Sequence, residues 1–148
     1  MQIVLASTSP YRREIVERLG LPVTAVAPVC DETPLAGETA LDTAVRYATE
    51  RKAFGEAISN FQLIQAMLAD SQAELYAAEC MVIDAARRRD DGQNVSTEAS
   101  CCKMFATEMV GRVADRAVQI LGGAGYMAEY GIERFYRDVR LFRLYEGT

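Results

Sequence analysis

The sequence predicts a mainly α protein, an up-and-down helical bundle with a short N-terminal β-α-β fragment. Three observations predict it. Apolar or small residues recur at alternating steps of four and three from Ile64 to Val82, and again at helical spacing from Cys102 to Ile120, so two long stretches each offer one stripe to a partner helix. Short β-prone runs and turn residues are confined to the chain before Thr39. Half of the 148 residues are apolar and a quarter are charged, which suits one core of ordinary size and not two.

Taken in order, Gln2–Ala6 is a short apolar run that reads as a strand, followed by a Ser/Thr/Pro turn. Tyr11–Leu19 has Ile15, Val16 and Leu19 at helical spacing and is closed by Gly20. Val23–Ala27 is a second β-prone run, and Pro28, Pro34 and Gly37 mark the loop after it. Ala40–Lys52 reads as a helix with Leu41, Ala44, Val45 and Ala48 on one face, broken at Phe54 and Gly55. A long helix follows from about Asn60 to Arg89, with Ile64, Leu68, Ser71, Leu75, Ala78 and Val82 as its seam, and Asp91, Gly92 and Asn94 end it. Ser96 is expected as the N-cap of the next helix, with Glu98 adding negative charge in its first turn. That helix runs to about Leu121 with Cys102, Phe105, Met109, Val113, Ala117 and Ile120 on its stripe, and Gly122, Gly123 and Gly125 stop it. A shorter amphipathic stretch covers Ile132–Arg143.

Composition narrows the chemistry. The chain has no histidine, which excludes Ser-His and Cys-His nucleophile pairs, histidine metal sites and a histidine base. Acid-base work falls to carboxylates, lysine, tyrosine or thiols. Cys30, Cys80, Cys101 and Cys102 include no C-x-x-C pair, so no metal site is expected and the thiols are read as small buried apolar groups in a reducing compartment. The apolar run at the start is broken at once by Ser7, Thr8, Ser9 and Pro10, and no window approaches the roughly 20 apolar residues of a span. A cytoplasmic protein without a membrane span is expected. Arg134, Arg137, Arg140 and Arg143 recur every third residue, but Glu133 and Asp138 interleave and the net charge is −5, so a salt-bridged face is expected and not a nucleic-acid stripe.

Two motifs carry chemistry in the first segment. Ser7-Thr8-Ser9-Pro10-Tyr11-Arg12-Arg13 between a strand and a helix offers hydroxyls, free N–H groups and two guanidinium groups to a phosphate, although Ser9 and Pro10 would start any helix. With Asp31-Glu32-Thr33-Pro34, this string makes residues 1–39 resemble the N-terminus of Maf-family nucleoside triphosphate pyrophosphatases. Tyr11 before the arginine pair resembles the subfamily acting on 7-methyl-GTP. The resemblance implies that Ser7, Arg12 and Arg13 hold nucleotide phosphates, that Glu32 lies in the site, and that Mg²⁺ assists. The family's later strand, with a catalytic Asp and Gln, has no counterpart here.

From Ala40 to Thr148 four blocks stand out: Ala44-Val45-Arg46-Tyr47-Ala48 running into Arg51-Lys52-Ala53-Phe54-Gly55, then Phe61-Gln62, then Gln119-Ile120-Leu121-Gly122-Gly123-Ala124-Gly125-Tyr126, and Tyr145-Glu146-Gly147-Thr148. Locally, Arg51, Phe54 and Gln62 put a cation, a ring and an amide around one helix break. Gly122-Gly123-x-Gly125 follows no strand, so it is a helix C-cap and not a dinucleotide fingerprint. Together the blocks resemble the C-terminal helical domain of acyl-CoA dehydrogenases. That resemblance implies FAD contacts from Arg51, Phe54 and Gln62 across a subunit interface, and from Gln119, Gly122 and Gly123 along the adenosine diphosphate part. It makes Glu146 the base that takes the pro-R α-proton of an acyl-CoA while the flavin accepts the β-hydride, giving a trans-2-enoyl-CoA.

The two resemblances describe a chimera, a truncated Maf-like segment at 1–39 joined to an acyl-CoA dehydrogenase-like bundle at 40–148 with the family's last helix missing. A homo-oligomer is expected, inactive as an isolated chain for want of the family's other domains. The alternatives are a nucleotide pyrophosphatase and a non-catalytic helical oligomerisation module.

Overall fold

The computed structural model describes residues 3–5, 14, 17, 18, 20, 23–25 and 35–145. It divides into two compact units, Met1–Asp31 and Glu32–Thr148. In the first, β1 (Ile3–Leu5) and β2 (Val23–Ala25) pair in parallel with Ile3 opposite Val23. Parallel neighbours require a crossover. Most of the helix expected over Tyr11–Leu19 lies outside the described residues, but Glu14 and Glu17 are helical and the Arg18 N–H donates to the Glu14 carbonyl at 3.1 Å.

The second unit is the helical bundle. Helix α1 (Ala40–Glu50) starts at a capping box: the Thr39 hydroxyl accepts from the Asp42 N–H, and the Asp42 carboxylate accepts from the Thr39 N–H at 2.9 Å. It buries Leu41, Thr43, Ala44, Tyr47 and Ala48. Val45, expected on that face, is exposed, and Tyr47 fills the place with the wider ring. The helix stops at Glu50. A small antiparallel hairpin follows, unannounced by any β-prone run: β3 (Lys52–Ala53) against β4 (Glu56–Ala57). Its turn is Phe54-Gly55, both at positive φ, +54° and +93°, the requirement of a two-residue turn matched to strand twist. The short strands carry no alternation long enough to read.

Helix α2 (Gln62–Asp90) and helix α3 (Ser96–Leu121) are the long antiparallel pair. On α2 the fully buried positions are Ser71, Ala78 and Ala85, seven residues apart, so small side chains let the backbones approach. Val82, expected in the seam, is exposed, and Ala85 three residues on takes the contact. The turn after α2 is a Schellman motif: Gln93 N–H donates to Arg88 O and Gly92 N–H to Arg89 O, each at 3.0 Å, with Gly92 at φ +79°. Ser96 is not the N-cap of α3 but its first residue. The Asn94 side-chain oxygen accepts from the Ser96 N–H at 3.1 Å and from its hydroxyl at 2.7 Å.

Helix α3 is the hub, packing against α1, against α2 and against α5 (Ile132–Val139). It buries Met109, Val113, Ala114, Ala117, Ile120 and Leu121. Leu41, Ala78, Met109 and Val113 form a core cluster, with Leu68, Leu75 and Phe105 packed against it. After Gly122 a single turn, α4 (Gly123–Tyr126), folds back on α3, and the amphipathic stretch Ile132–Arg143 is α-helical to Val139 and ends in a tighter 3₁₀ turn, Arg140–Arg143. The cysteine expectation is corrected: Cys80 and Cys101 are exposed and Cys102 is half-buried, because the seams run through Ala78 and Phe105 and turn the thiols outward. Cys30 lies outside the described residues.

Candidate functional site

Two groups of expected site residues are described, and each is built by a helix end. At the end of α1, the Arg51 N–H donates to the Tyr47 carbonyl at 2.8 Å, and the Arg51 carbonyl accepts from the Ile58 N–H at 2.9 Å. The hairpin between them is therefore pinned at its base. Asn60 Nδ2 donates to the Glu56 carboxylate at 2.9 Å, and Gln65 Nε2 donates to the Ser59 carbonyl at 3.0 Å, fixing the exit into α2. Phe54 stands at the tip, 98% exposed, its ring edge-on to Phe61 at 6.2 Å and 74°. Gln62, first residue of α2, is exposed, and Arg51 is half-buried. A bulky residue on left-handed backbone is costly, of order 1–2 kcal/mol, so the fold holds an aromatic ring in water against its local preference. The sequence identified the helix break but carried no sign of the strained tip.

At the end of α3, Gln119 is exposed and its carbonyl accepts the Gly122 N–H at 3.1 Å. Gly122 turns the chain at φ +59° and ψ −132°, and where its Cβ would stand there is open space. Gly125 differs: a Cβ there would lie 2.5 Å from the Val118 carbonyl oxygen, so this glycine serves the packing of α4 on α3. Gly122 thus presents an accessible backbone, Gly123 is exposed beside it, and Gly125 seats the turn. Beside this turn lies a cavity of about 560 Å³ lined by Asp115, Val118, Tyr126, Glu133 and Arg137 among others, none of them expected as site residues.

Ser7, Arg12, Arg13, Glu32 and Glu146 lie outside the described residues. Among the described residues no group of three His, Cys, Asp or Glu side chains could hold a metal ion. No helix is long and apolar enough to cross a membrane. The arginine series is a salt-bridged face as expected at three positions: Arg134 with Asp138 at 3.2 Å, Arg137 with Glu133 at 3.6 Å and Arg143 with Glu108 at 3.1 Å. Several carboxylates are stabilised in their charged form, Asp42 among them through its hydrogen bonds with Thr39. Hydrogen bonding to Arg46 and to the Leu35 N–H holds Glu38 down to about 2, and hydrogen bonding to Arg116 lowers Glu74.

A helical bundle whose loops present a cation, a ring, amides and open glycine backbone is the kind of module that supplies part of a cofactor surface. Residues 32–148 match the family model described as the acyl-CoA dehydrogenase C-terminal domain. Over 109 residues, 74% of this chain, it is 49% identical to the caffeyl-CoA reductase-Etf complex subunit CarC of Acetobacterium woodii, covering 29% of that protein. The butyryl-CoA dehydrogenase structure from Megasphaera elsdenii superposes with a TM-score of 0.72 at 38% identity, over 74% of this chain and 28% of the other. The FAD complex of PigA superposes with a TM-score of 0.71 at 28% identity, over the same shares. The chain belongs to the acyl-CoA dehydrogenase family, through its C-terminal helical domain. It spans about three tenths of the length of the relatives it matches. The resemblance of residues 1–39 to Maf pyrophosphatases, and with it the chimera, draws no support from these comparisons.

Proposed function

We propose that the chain supplies the C-terminal helical part of a flavin-dependent acyl-CoA dehydrogenase, facing FAD with Arg51, Phe54, Gln62, Gln119, Gly122 and Gly123 and carrying its base at Glu146. The observation that carries this reading is Phe54, a fully exposed ring held on left-handed backbone beside a half-buried arginine and an exposed amide. The donor set fits the cofactor's chemistry: a guanidinium for pyrophosphate, a flat ring for a flat heterocycle, and glycine backbone with room for close approach. FAD, when bound, supplies the acceptor for the substrate's β-hydride.

The chain's own work is to orient and to remove a proton. Glu146 takes the α-proton of an acyl-CoA thioester at its carboxylate, and a dry setting raises that carboxyl's proton affinity toward the working range. On this reading the remaining FAD and acyl-CoA contacts come from polypeptide outside the chain, and the exposed aromatic tip reaches a neighbouring subunit of a homo-oligomer in the cytoplasm. The test is spectroscopic. Co-expressed with polypeptide that carries the remaining FAD and acyl-CoA contacts, the chain should give flavin absorbance that bleaches with an acyl-CoA; Phe54→Ala should lower flavin content, and Glu146→Gln should keep flavin but stop bleaching. A co-expressed preparation that takes up no FAD, or whose flavin content ignores Phe54→Ala, overturns the reading.

One observation favours a second activity in the first unit: β1 and β2 pair in parallel, as a strand-turn-helix-strand phosphate site needs. Under it, the Ser7, Arg12 and Arg13 turn binds a 7-methyl-GTP-like nucleotide with Mg²⁺. Pyrophosphate release abolished by Arg12→Ala is the required result.

A further inference from the structure

We propose that the cavity between Gly111 of α3 and the arginine edge of α5 binds a phosphate monoester. Of the arginines that recur every third residue from Arg134, three have carboxylate partners, and Arg140 has none among the described residues. Arg140 is exposed, and with Arg137 and Arg143 it lines a cavity of about 290 Å³ whose other described walls are Gly111, Tyr136 and Val139. None of these is a carboxylate, in a chain whose net charge is −5. The local field there runs against the field of the whole chain.

The carboxylates paired with Arg137 and Arg143 leave donors over. Glu133 stands 3.6 Å from Arg137, too far for a hydrogen bond, and the Arg137 side chain is 68% exposed. Arg143 donates from Nε to the Thr107 carbonyl and from Nη2 to the Glu108 carbonyl, both at 3.4 Å, and Nη2 pairs with the Glu108 carboxylate at 3.1 Å. Those contacts fix the guanidinium and leave its Nη1 without a hydrogen bond to a described residue.

The backbone gathers the cluster in two ways. Arg140–Arg143 is a 3₁₀ turn, in which side chains three apart eclipse, whereas a continued α-helix would have set Arg140 and Arg143 about 60° apart. Gly111 sits inside α3, where glycine is a poor helix residue, and a Cβ built on it would overlap the Arg143 guanidinium. The missing side chain makes the floor of the cavity. One guanidinium fork already matches the two oxygens of a carboxylate, so three of them call for a group with more oxygens and more charge. A phosphate monoester has three terminal oxygens and about two negative charges. The half-exposed Tyr136 ring and the Val139 side chain give its organic part an apolar wall. Binding here requires neither FAD nor any residue assigned to the flavin surface.

The experiment titrates the 148-residue chain with phenyl phosphate, following the Gly111, Val139 and Arg140 amides by NMR. Saturable shifts confined to these amides and their neighbours are expected at millimolar concentrations, with inorganic phosphate binding more weakly for want of the ring and benzoate more weakly for want of charge. Arg140→Gln should weaken binding about tenfold and leave the melting temperature unchanged, because no described partner is lost. Arg134→Gln removes the same charge from an arginine outside the cavity and should leave binding as it is. Gly111→Ala, which places a methyl group on the floor, should weaken binding without lowering the stability of α3. Absence of saturable shifts overturns the proposal, as does equal binding by wild type and Arg140→Gln, or an equal loss in Arg134→Gln, which would mark an adventitious ion only. Benzoate or inorganic phosphate binding as tightly as phenyl phosphate would overturn the assignment to a phosphate monoester.

Discussion

Glu74 on α2 receives Arg116 of α3 in a two-pronged ion pair, Nη2 to Oε1 at 3.1 Å and Nη1 to Oε2 at 3.2 Å. Arg112, one turn earlier, donates to the same carboxylate at 3.1 Å, and Arg116 also reaches the Ser71 hydroxyl at 3.4 Å. Ser71 is 1% exposed and donates to the Met67 carbonyl, so the pair sits where the long helices come closest. This contact fixes the register of α2 on α3. Removing the carboxylate would leave two guanidinium groups facing each other without a hydrogen-bonded counter-charge, Asp70 and Asp115 offering Arg116 only weaker attraction. Glu74→Ala should therefore lower the unfolding free energy by about 2 kcal/mol, whereas Arg112→Ala, at the 42% exposed partner, should cost less than about 1 kcal/mol. Urea denaturation of both variants measures the difference, and equal costs would refute the assignment.

Glu38 makes the stability depend on acid. Its carboxylate accepts from Arg46 Nε at 2.8 Å, from the Leu35 N–H at 2.8 Å and from the Thr43 hydroxyl at 3.0 Å, and these hold it at about 2 in the folded chain against an ordinary 4.5. The folded value lies below the unfolded one, so its stabilising contribution is full above about pH 4.5 and disappears as pH falls through about 2. Glu38→Gln should be less stable than wild type at neutral pH and should lose less stability between pH 4.5 and 2. Thermal melts across that interval give the slope directly. Parallel slopes for the two proteins would show that Glu38 is not responsible.

These contacts also mark how far the sequence could be read. The stripes on α2 and α3 were legible because burial repeats with the helical period, and Gly92 and Gly122 ended helices where positive φ is needed. Val45 and Val82 are exposed while Tyr47 and Ala85 are buried, because a periodic pattern gives the direction of a face and not its edge, and Cys80 and Cys101 are exposed because the burial habit of cysteine says nothing of which face a residue is on. The Phe54 tip left no trace, since two-residue strands lack periodicity and the strain is imposed by the pinned hairpin base. Of the candidate site, Arg51, Phe54, Gln62, Gln119, Gly122 and Gly123 were named by resemblance of strings. Their spacing alone would have been read as ordinary caps and turns.

Gly125 and Gly122 separate packing from access. The atoms that a Cβ at Gly125 would meet include the Val118 carbonyl oxygen and Cα, both backbone, so they cannot swing aside. Gly125→Ala should destabilise by about 2 kcal/mol through displacement of α4. Gly122→Ala meets open space and suffers only the cost of a backbone, φ +59° and ψ −132°, that L side chains rarely adopt, about 1–3 kcal/mol. A stable Gly125→Ala protein with an unchanged melting point would contradict the close seating of α4 on α3. Comparing flavin content after matched refolding tests whether Gly122 alone carries the cofactor penalty.

Phe54 offers the sharpest separation of stability from function. Its φ of +54° is a conformation in which glycine carries no side-chain penalty, and the ring is 98% exposed, so the hairpin gains almost nothing from burying it. The one contact at risk is the edge-on ring of Phe61 at 6.2 Å, worth about 0.5 kcal/mol at an exposed site. Relief of the strained backbone is of order 1–2 kcal/mol, reduced by the extra freedom glycine gives the unfolded chain. Phe54→Gly should thus hold or raise the melting temperature while lowering FAD retention. A functional residue kept against local preference predicts that pairing. If Phe54→Gly melts clearly lower than wild type, the ring is structural and its exposure has been misjudged; if it melts higher and binds FAD equally well, the aromatic tip does not face the cofactor.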